Sequence, residues 1–198
     1  MASEIVLVRH GETEWSRDGR HTSRTDVPLT ELGRAQADLL AAALEGQSFA
    51  RVLTSPLVRA AETARRAGFD AEPRDELREW DYGAYEGRKT VEIREDRPGW
   101  TLWRDGVPDG ETAAEVAERA DRLIDELRAV PGDVLVFGHG HLLRVLAARW
   151  LGLEPEAGRL LALGTATISV LGYERETPVI RIWNAPVDAE SGPIGRRR

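Results

Sequence analysis

Apolar residues along the chain alternate between two patterns. Short uninterrupted runs, Ile5 to Val8, Val52-Leu53 and DVLVF at 133–137, have the length of strands buried on both faces. Between them, apolar positions recur at helical spacing. Leu32, Ala35, Leu39, Leu40, Ala43 and Leu44 follow Thr30 as a cap, and Gly46 supplies the stop. Ser55 as N-cap with Pro56 at the first helical position predicts a helix through LVRAAETARRAG to Gly68. Thr112 and Glu115 form a capping box for a long helix with Val116, Ala120, Leu123, Ile124 and Leu127 on one face, ended by Pro131-Gly132. LLRVLAARWLG predicts one more helix, and ATISVLGYE and PVIRIWN read as antiparallel edge strands. Repeated strand-helix alternation predicts an α/β three-layer sandwich: a mainly parallel sheet with helices on both faces.

Three stretches break this rhythm. Thr13 to Gly19 is polar apart from Trp15, and RHTSRTDVPLT reads as a loop. From Leu77 to Gly110, Trp80, Tyr82, Tyr85, Trp100 and Trp103 lie among glycines and prolines, which predicts a small inserted cap rather than a sheet layer. The tail from Pro186 to Arg198 has little to bury and is expected to be loose, leaving residues 1–185 as one domain.

Composition narrows the function classes. At 198 residues and 41% hydrophobic, the chain suits one domain with a proper core. A formal charge of −7 argues against nucleic acid or an acidic membrane as partner, so any anion site must be a local cluster. There are no cysteines, which excludes disulfides and thiolate chemistry. All basic residues but Lys89 are arginine. The chain enters its first strand without the charged and apolar regions of a signal peptide, and no apolar run reaches membrane-spanning length, so a cytoplasmic location is the expectation.

Candidate chemistry sits where the buried runs end. The first closes on Arg9-His10-Gly11, the second on Ser55 followed one turn later by Arg59, and the third on GHGH with His139. Open α/β sheets bind ligands beyond the carboxyl ends of their strands, and Gly11 would let backbone come close to a bound group. Two arginines, two histidines and helix N-termini would suit a phosphate. Turnover also needs a nucleophile and a proton donor: either histidine could attack phosphorus, and Glu79 could be the acid, since an apolar setting favours the protonated form a general acid requires. Each residue also has a plain structural reading. Arg59 shares its helix with Arg65 and Arg66 and could be a solvated charge, Glu79 could be one surface acid among 34, and His21 and His141 read as packing or capping residues. A metal held by His10, His139 and His141 is disfavoured because no carboxylate or thiolate accompanies them at ligand spacing. No cofactor is expected.

LVRHGETEW, TDVPLTELGRAQA, SPLVRAAETA, LREWDYGAYEG and GHGH, in that order and spacing, resemble the histidine phosphatase superfamily, the phosphoglycerate-mutase-like fold. The resemblance covers roughly residues 4 to 173. It implies that His10 becomes phosphorylated, that Glu79 donates a proton to the leaving group and later takes one from water, and that Arg9, Arg59 and His139 clamp the phosphate. REWDYGAYEG followed by WTLWRDGVPDGET is most similar to a branch containing sedoheptulose-1,7-bisphosphatase and bacterial acid phosphatases. Ser16 stands where many members have asparagine, and Thr22-Ser23 where Ser-Gly or Thr-Gly is common; both changes bear on substrate contacts. The segment from Gly87 to Glu111 lacks the long insertion of cofactor-dependent mutases, which favours hydrolysis over phosphoglycerate mutase activity. A silent phosphate-binding module is the rival from another class, and a proton donor at Glu79 argues against it. The expected partner is a small phosphorylated metabolite, such as a sugar phosphate or bisphosphate, met by Ser16, Thr22 and Arg20, with Arg24 and Arg104 as further cations; a homodimer is left open.

Overall fold

The first apolar run becomes β1 (Ile5–Arg9), and its alternate residues enter two different cores. Ile5 and Leu7 face one side of the sheet and Val6 and Val8 the other, which is why no polar residue interrupts the run. The protein is described from a computed structural model in which residues 3–188 are placed. Of the tail expected to be loose, residues 189–198 lie outside the described residues.

In chain order, β1 is followed by α1 (Glu14–Asp18), α2 (Glu31–Ala43), β2 (Arg51–Thr54), α3 (Val58–Arg66) and β3 (Glu72–Pro73). Next come α4 (Thr90–Asp96), α5 (Leu102–Asp105), α6 (Ala113–Ala129), β4 (Val134–Gly138), α7 (Gly140–Trp150), β5 (Ile168–Glu174) and β6 (Thr177–Ala185). The sheet order is β3-β2-β4-β1-β5-β6, with β3, β2, β4 and β1 parallel and β5 and β6 antiparallel. Helices α2 and α3 cover one face, and α6, α7 and the 77–110 segment cover the other, as the α/β three-layer reading expects. In that segment Trp80, Tyr82, Tyr85 and Trp100 are buried in the α6–α7 core, so the cap is anchored through its aromatics.

Several expectations need correction. The polar stretch Thr13 to Gly19, to which the sequence pattern assigns no element, holds α1, which a capping box between Thr13 and Ser16 starts. Thr30 caps α2 as expected, but the buried stripe is Gly33, Ala37, Leu40 and Ala43, and Leu32 is 55% exposed. The helix turns its smallest residue inward because a Cβ on Gly33 would lie 2.0 Å from the carbonyl oxygen of Glu12. Ser55 does not cap α3; the N-cap is Leu57, and the backbone N–H of Val58 donates to Asp26 Oδ1 at 2.8 Å. β5 is interior, because β6 pairs along its outer side. The Thr112–Glu115 box and the buried stripe of α6 are as expected.

Candidate active site

Strand register assembles the site. Arg9 pairs with Gly138 and Thr54 with Phe137, so His10, His139 and Ser55 emerge side by side from three adjacent parallel strands. Backbone bonds lock the exits, with His10 N–H donating to Gly138 O and Ser55 N–H to Phe137 O, both at 3.0 Å. The His10 and His139 rings lie 5.1 Å apart between centroids.

His10 is buried, and its Nδ1 lies 2.7 Å from the carbonyl oxygen of Gly11. A carbonyl only accepts, so Nδ1 carries the proton and Nε2 keeps a free lone pair. Burial first, then the charges of Arg59 and Arg9, hold the imidazole well below the usual histidine pKa, so it is neutral and nucleophilic at physiological pH. Gly11 acts differently from expectation: a Cβ there would lie 2.3 Å from Gly33 O, so the glycine admits the first turn of α2 rather than a bound group. Arg9 donates through Nη1 to Leu163 O at 2.5 Å, while its Nε is buried without a hydrogen-bond partner among the described residues. Such an orphaned charged donor is costly unless a ligand satisfies it. Its guanidinium lies against Gly140, where a Cβ would stand 3.3 Å from Cζ and Nε, which explains the glycine between the two histidines of GHGH.

Arg59 and His139, both wholly buried, lie behind His10. Arg59 Nε donates to His139 Nδ1 at 3.2 Å, and its Nη atoms donate to the carbonyls of Thr22, Ser23 and Thr25. Since Nδ1 accepts, His139 carries its proton on Nε2, 2.8 Å from Ser55 Oγ. Arg59 thus fixes the tautomer, and Ser55 Oγ accepts from Nε2. Arg59 is no solvated charge: it pins the 22–25 loop to α3, and Glu86 holds the same loop by accepting from Ser23 N, Ser23 Oγ and Thr25 N.

Glu79 is buried too, held at the N-terminus of α7. Oε1 accepts from the backbone N–H of Leu142 at 2.8 Å and of Trp80 at 2.9 Å, and Oε2 from that of His141 at 3.0 Å. The carboxylate therefore answers amide donors, although Trp80 beside it is fully buried as the aromatic segment led one to expect. Arg119 fixes the approach to Glu79 by donating to the carbonyls of Glu76 and Arg78 at 2.7 Å while paired with Glu111.

Arg9, His10 and Glu79 share the wall of a cavity of about 250 Å³. Ser16, Arg20 and Thr22 also line it, though the Ser16 hydroxyl is committed to the α1 capping box, and Thr22 Oγ1 donates to Arg20 O at 3.1 Å. Arg59 and His139 are not on that wall. Arg24 and Arg104 are also absent, being paired with Asp81 and Asp105. Sequence reasoning passed over His21, His141, Tyr82 and Arg144, all of which line the cavity. His21 and His141 pack on aromatic rings and also border the cavity. The available signal was weak: Arg144 follows Gly140 by one helical turn and so shares its face. Among the described residues, no cluster of three or more His, Asp or Glu side chains is placed to hold a metal ion.

The histidines make stability pH-dependent. Burial lowers His10, His139 and His141 well below 6.5 and His21 to about 4, so all four are neutral in the folded state. The unfolded chain binds protons near pH 6.5 that the folded one refuses, so stability present above 6.5 is lost as pH falls toward 4. His21 alone contributes on the order of 3 kcal/mol over that window. Thermal melts should show Tm falling steadily from pH 7 to pH 4.5; a flat profile would contradict the neutral cluster.

Residues 5–186 match the histidine phosphatase superfamily (branch 1). The chain belongs to the histidine phosphatase superfamily. Among curated relatives of this histidine phosphatase, an acid phosphatase of Mycobacterium tuberculosis is 41% identical over 197 residues, covering 95% of this chain and 97% of that one. A sedoheptulose 1,7-bisphosphatase of Saccharomyces cerevisiae is 36% identical over 188 residues, covering 77% and 69%. A solved structure of a Mycobacterium tuberculosis open reading frame superposes with a TM-score of 0.90 at 39% identity, covering 94% of this chain and 99% of that one. No helix among the described residues is long and apolar enough to cross a membrane.

Proposed function

We propose that this histidine phosphatase hydrolyses small phosphorylated metabolites, sugar phosphates foremost, through a phosphohistidine at His10. The observation that carries the reading is a neutral imidazole with a free Nε2, beside an arginine whose buried Nε has no partner, on the wall of a small-molecule cavity. Nε2 attacks phosphorus and the ester P–O bond breaks. The electron pair departs on the alkoxide, which takes a proton from Glu79. Oε2, with one amide donor against two on Oε1, is the freer oxygen to carry that proton. Water then attacks phosphorus and gives a proton to Glu79, and the P–N pair returns to Nε2 as phosphate leaves. Arg9 meets the phosphate oxygens directly, while Arg59 supplies charge, and the neutral His139 alignment, from behind the imidazole.

Release of inorganic phosphate from an aryl phosphate and a panel of sugar phosphates tests this, with 3-phosphoglycerate assayed for both phosphate and the 2-phospho isomer. Hydrolysis without isomerisation is expected. Because kcat/KM reports the free enzyme and the His10 pKa lies below the ordinary 6.5, the acid limb of its pH profile should also lie below pH 6.5. Isomerisation outrunning phosphate release would overturn the proposal.

A further inference from the structure

Arg9 is held at few points for a group that must aim at phosphate. Its guanidinium lies against Gly140, its Nε has no hydrogen-bond partner, and Leu163 O is the one acceptor it meets among the described residues. Where the Leu163 carbonyl stands therefore decides which way the guanidinium faces. That carbonyl belongs to residues 161–167, a stretch outside every strand and helix that closes over the end of β1. The N–H of Ala166 is shared between Arg9 O at 3.0 Å and His10 O at 3.1 Å, and the N–H of Arg9 donates to Thr167 O at 3.4 Å. Ala166 takes φ 51°, a left-handed conformation uncommon for alanine, so its contacts hold the turn in place.

The turn is strapped from outside by β6. Between the pairs Ile168–Ala185 and Val170–Ile182, Trp183 and Asn184 of β6 face Ser169 alone, which makes a bulge. Both bulged residues reach the turn: Trp183 Nε1 donates to Ala162 O at 2.6 Å, and Asn184 Oδ1 accepts from the Gly164 N–H at 2.7 Å. Asn184 sits at φ 56°, and its own N–H donates to the buried Ser169 Oγ at 2.9 Å. Asparagine suits the position because it tolerates the left-handed region and carries an acceptor on a short side chain.

The Gly164 N–H and the Leu163 C=O are the two ends of one planar peptide unit. Asn184 holds its N–H and Arg9 holds its oxygen, so a turn of that plane moves both bonds, and each bond polarises the amide in favour of the other. We infer that Asn184 is a positioning residue for phosphoryl transfer: through the Leu163–Gly164 peptide it fixes the Arg9 guanidinium and leaves the unpartnered Nε to the phosphoryl group beside His10. Asn184 does not line the cavity, so it acts on phosphate only through Arg9. This rests on the reading of Arg9 as the residue that meets phosphate.

Two variants at one position test it. Asn184→Gly removes the acceptor while keeping a residue at ease with positive φ, and Asn184→Asp keeps an acceptor in the same place. Asn184→Gly should weaken inhibition by inorganic phosphate, and lower kcat/KM on p-nitrophenyl phosphate, by roughly 10-fold each. The factor should be the same on alkyl and aryl phosphates, because the leaving group is not involved. Asn184→Asp should stay within roughly threefold of wild type. Trp183→Phe, which frees Ala162 O but leaves the 163–164 peptide strapped, should change phosphate inhibition much less. Arg9→Met should cost roughly 100-fold or more, and Asn184→Gly added to it should cost almost nothing further, since no guanidinium is left to aim. Unchanged phosphate inhibition in Asn184→Gly, an equal loss in Asn184→Asp or Trp183→Phe, or full additivity with Arg9→Met overturns the role of Asn184. Wild-type phosphate inhibition in Arg9→Met would instead overturn the reading of Arg9, and the role of Asn184 with it.

Discussion

His10→Ala is expected to lower phosphatase turnover by roughly 10⁴-fold or more, the scale on which loss of a covalent nucleophile is felt. The imidazole is the one group at the carboxyl end of β1 whose Nε2 has a lone pair free, because Gly11 O fixes its tautomer and burial, with the charges of Arg59 and Arg9, keeps it uncharged. The substitution leaves the backbone bond from His10 to Gly138 O in place, so the fold should survive. Arg9 also remains, so inorganic phosphate should still inhibit residual turnover or bind calorimetrically. Loss of turnover with retained phosphate binding separates a chemical role from a structural one. Near-normal turnover would place the nucleophile elsewhere.

Glu79→Gln should cost roughly 10²- to 10⁴-fold on alkyl phosphates and markedly less on aryl phosphates, whose leaving group needs little protonation. The structure adds a second consequence. Glutamine must turn its NH₂ toward the N–H of His141 or toward those of Trp80 and Leu142, so a donor meets a donor and some stability is lost. A lowered Tm alone therefore proves nothing about catalysis. The dependence of rate on leaving-group pKa is the discriminating measurement: a steeper dependence in Glu79→Gln supports the proton donor, and an unchanged slope contradicts it.

The chemistry of this site was easier to read in the sequence than its geometry. Arg9, His10, Ser55 and His139 could be picked out because each lies within two residues of the end of an apolar run, and the position at a strand end carries the meaning. Which strands lie side by side is a matter of register, and β3, two residues long, has no pattern to find. The Ser55-Pro56 signal looked like a helix cap because local chemistry allows it, but a buried histidine 84 residues away competes for the same hydroxyl. The stripe of α2 was misphased for a similar reason. Leucine spacing places Leu32 inward, whereas the contact between Gly33 and Glu12 demands a residue without a side chain. The cavity wall was the least legible part. His21, Tyr82, His141 and Arg144 come from three distant segments, and only tertiary packing shows that they face one space, while Arg24 and Arg104 spend their charge on Asp81 and Asp105.

Rapid-quench trapping with phosphate-labelled substrate tests the central claim most directly. The account predicts a covalent phosphoenzyme formed within the first turnover, acid-labile and base-stable as a phosphoramidate is, mapping to His10 and absent from His10→Ala. Label found on a serine, or a full burst of product with no phosphoenzyme, would contradict it.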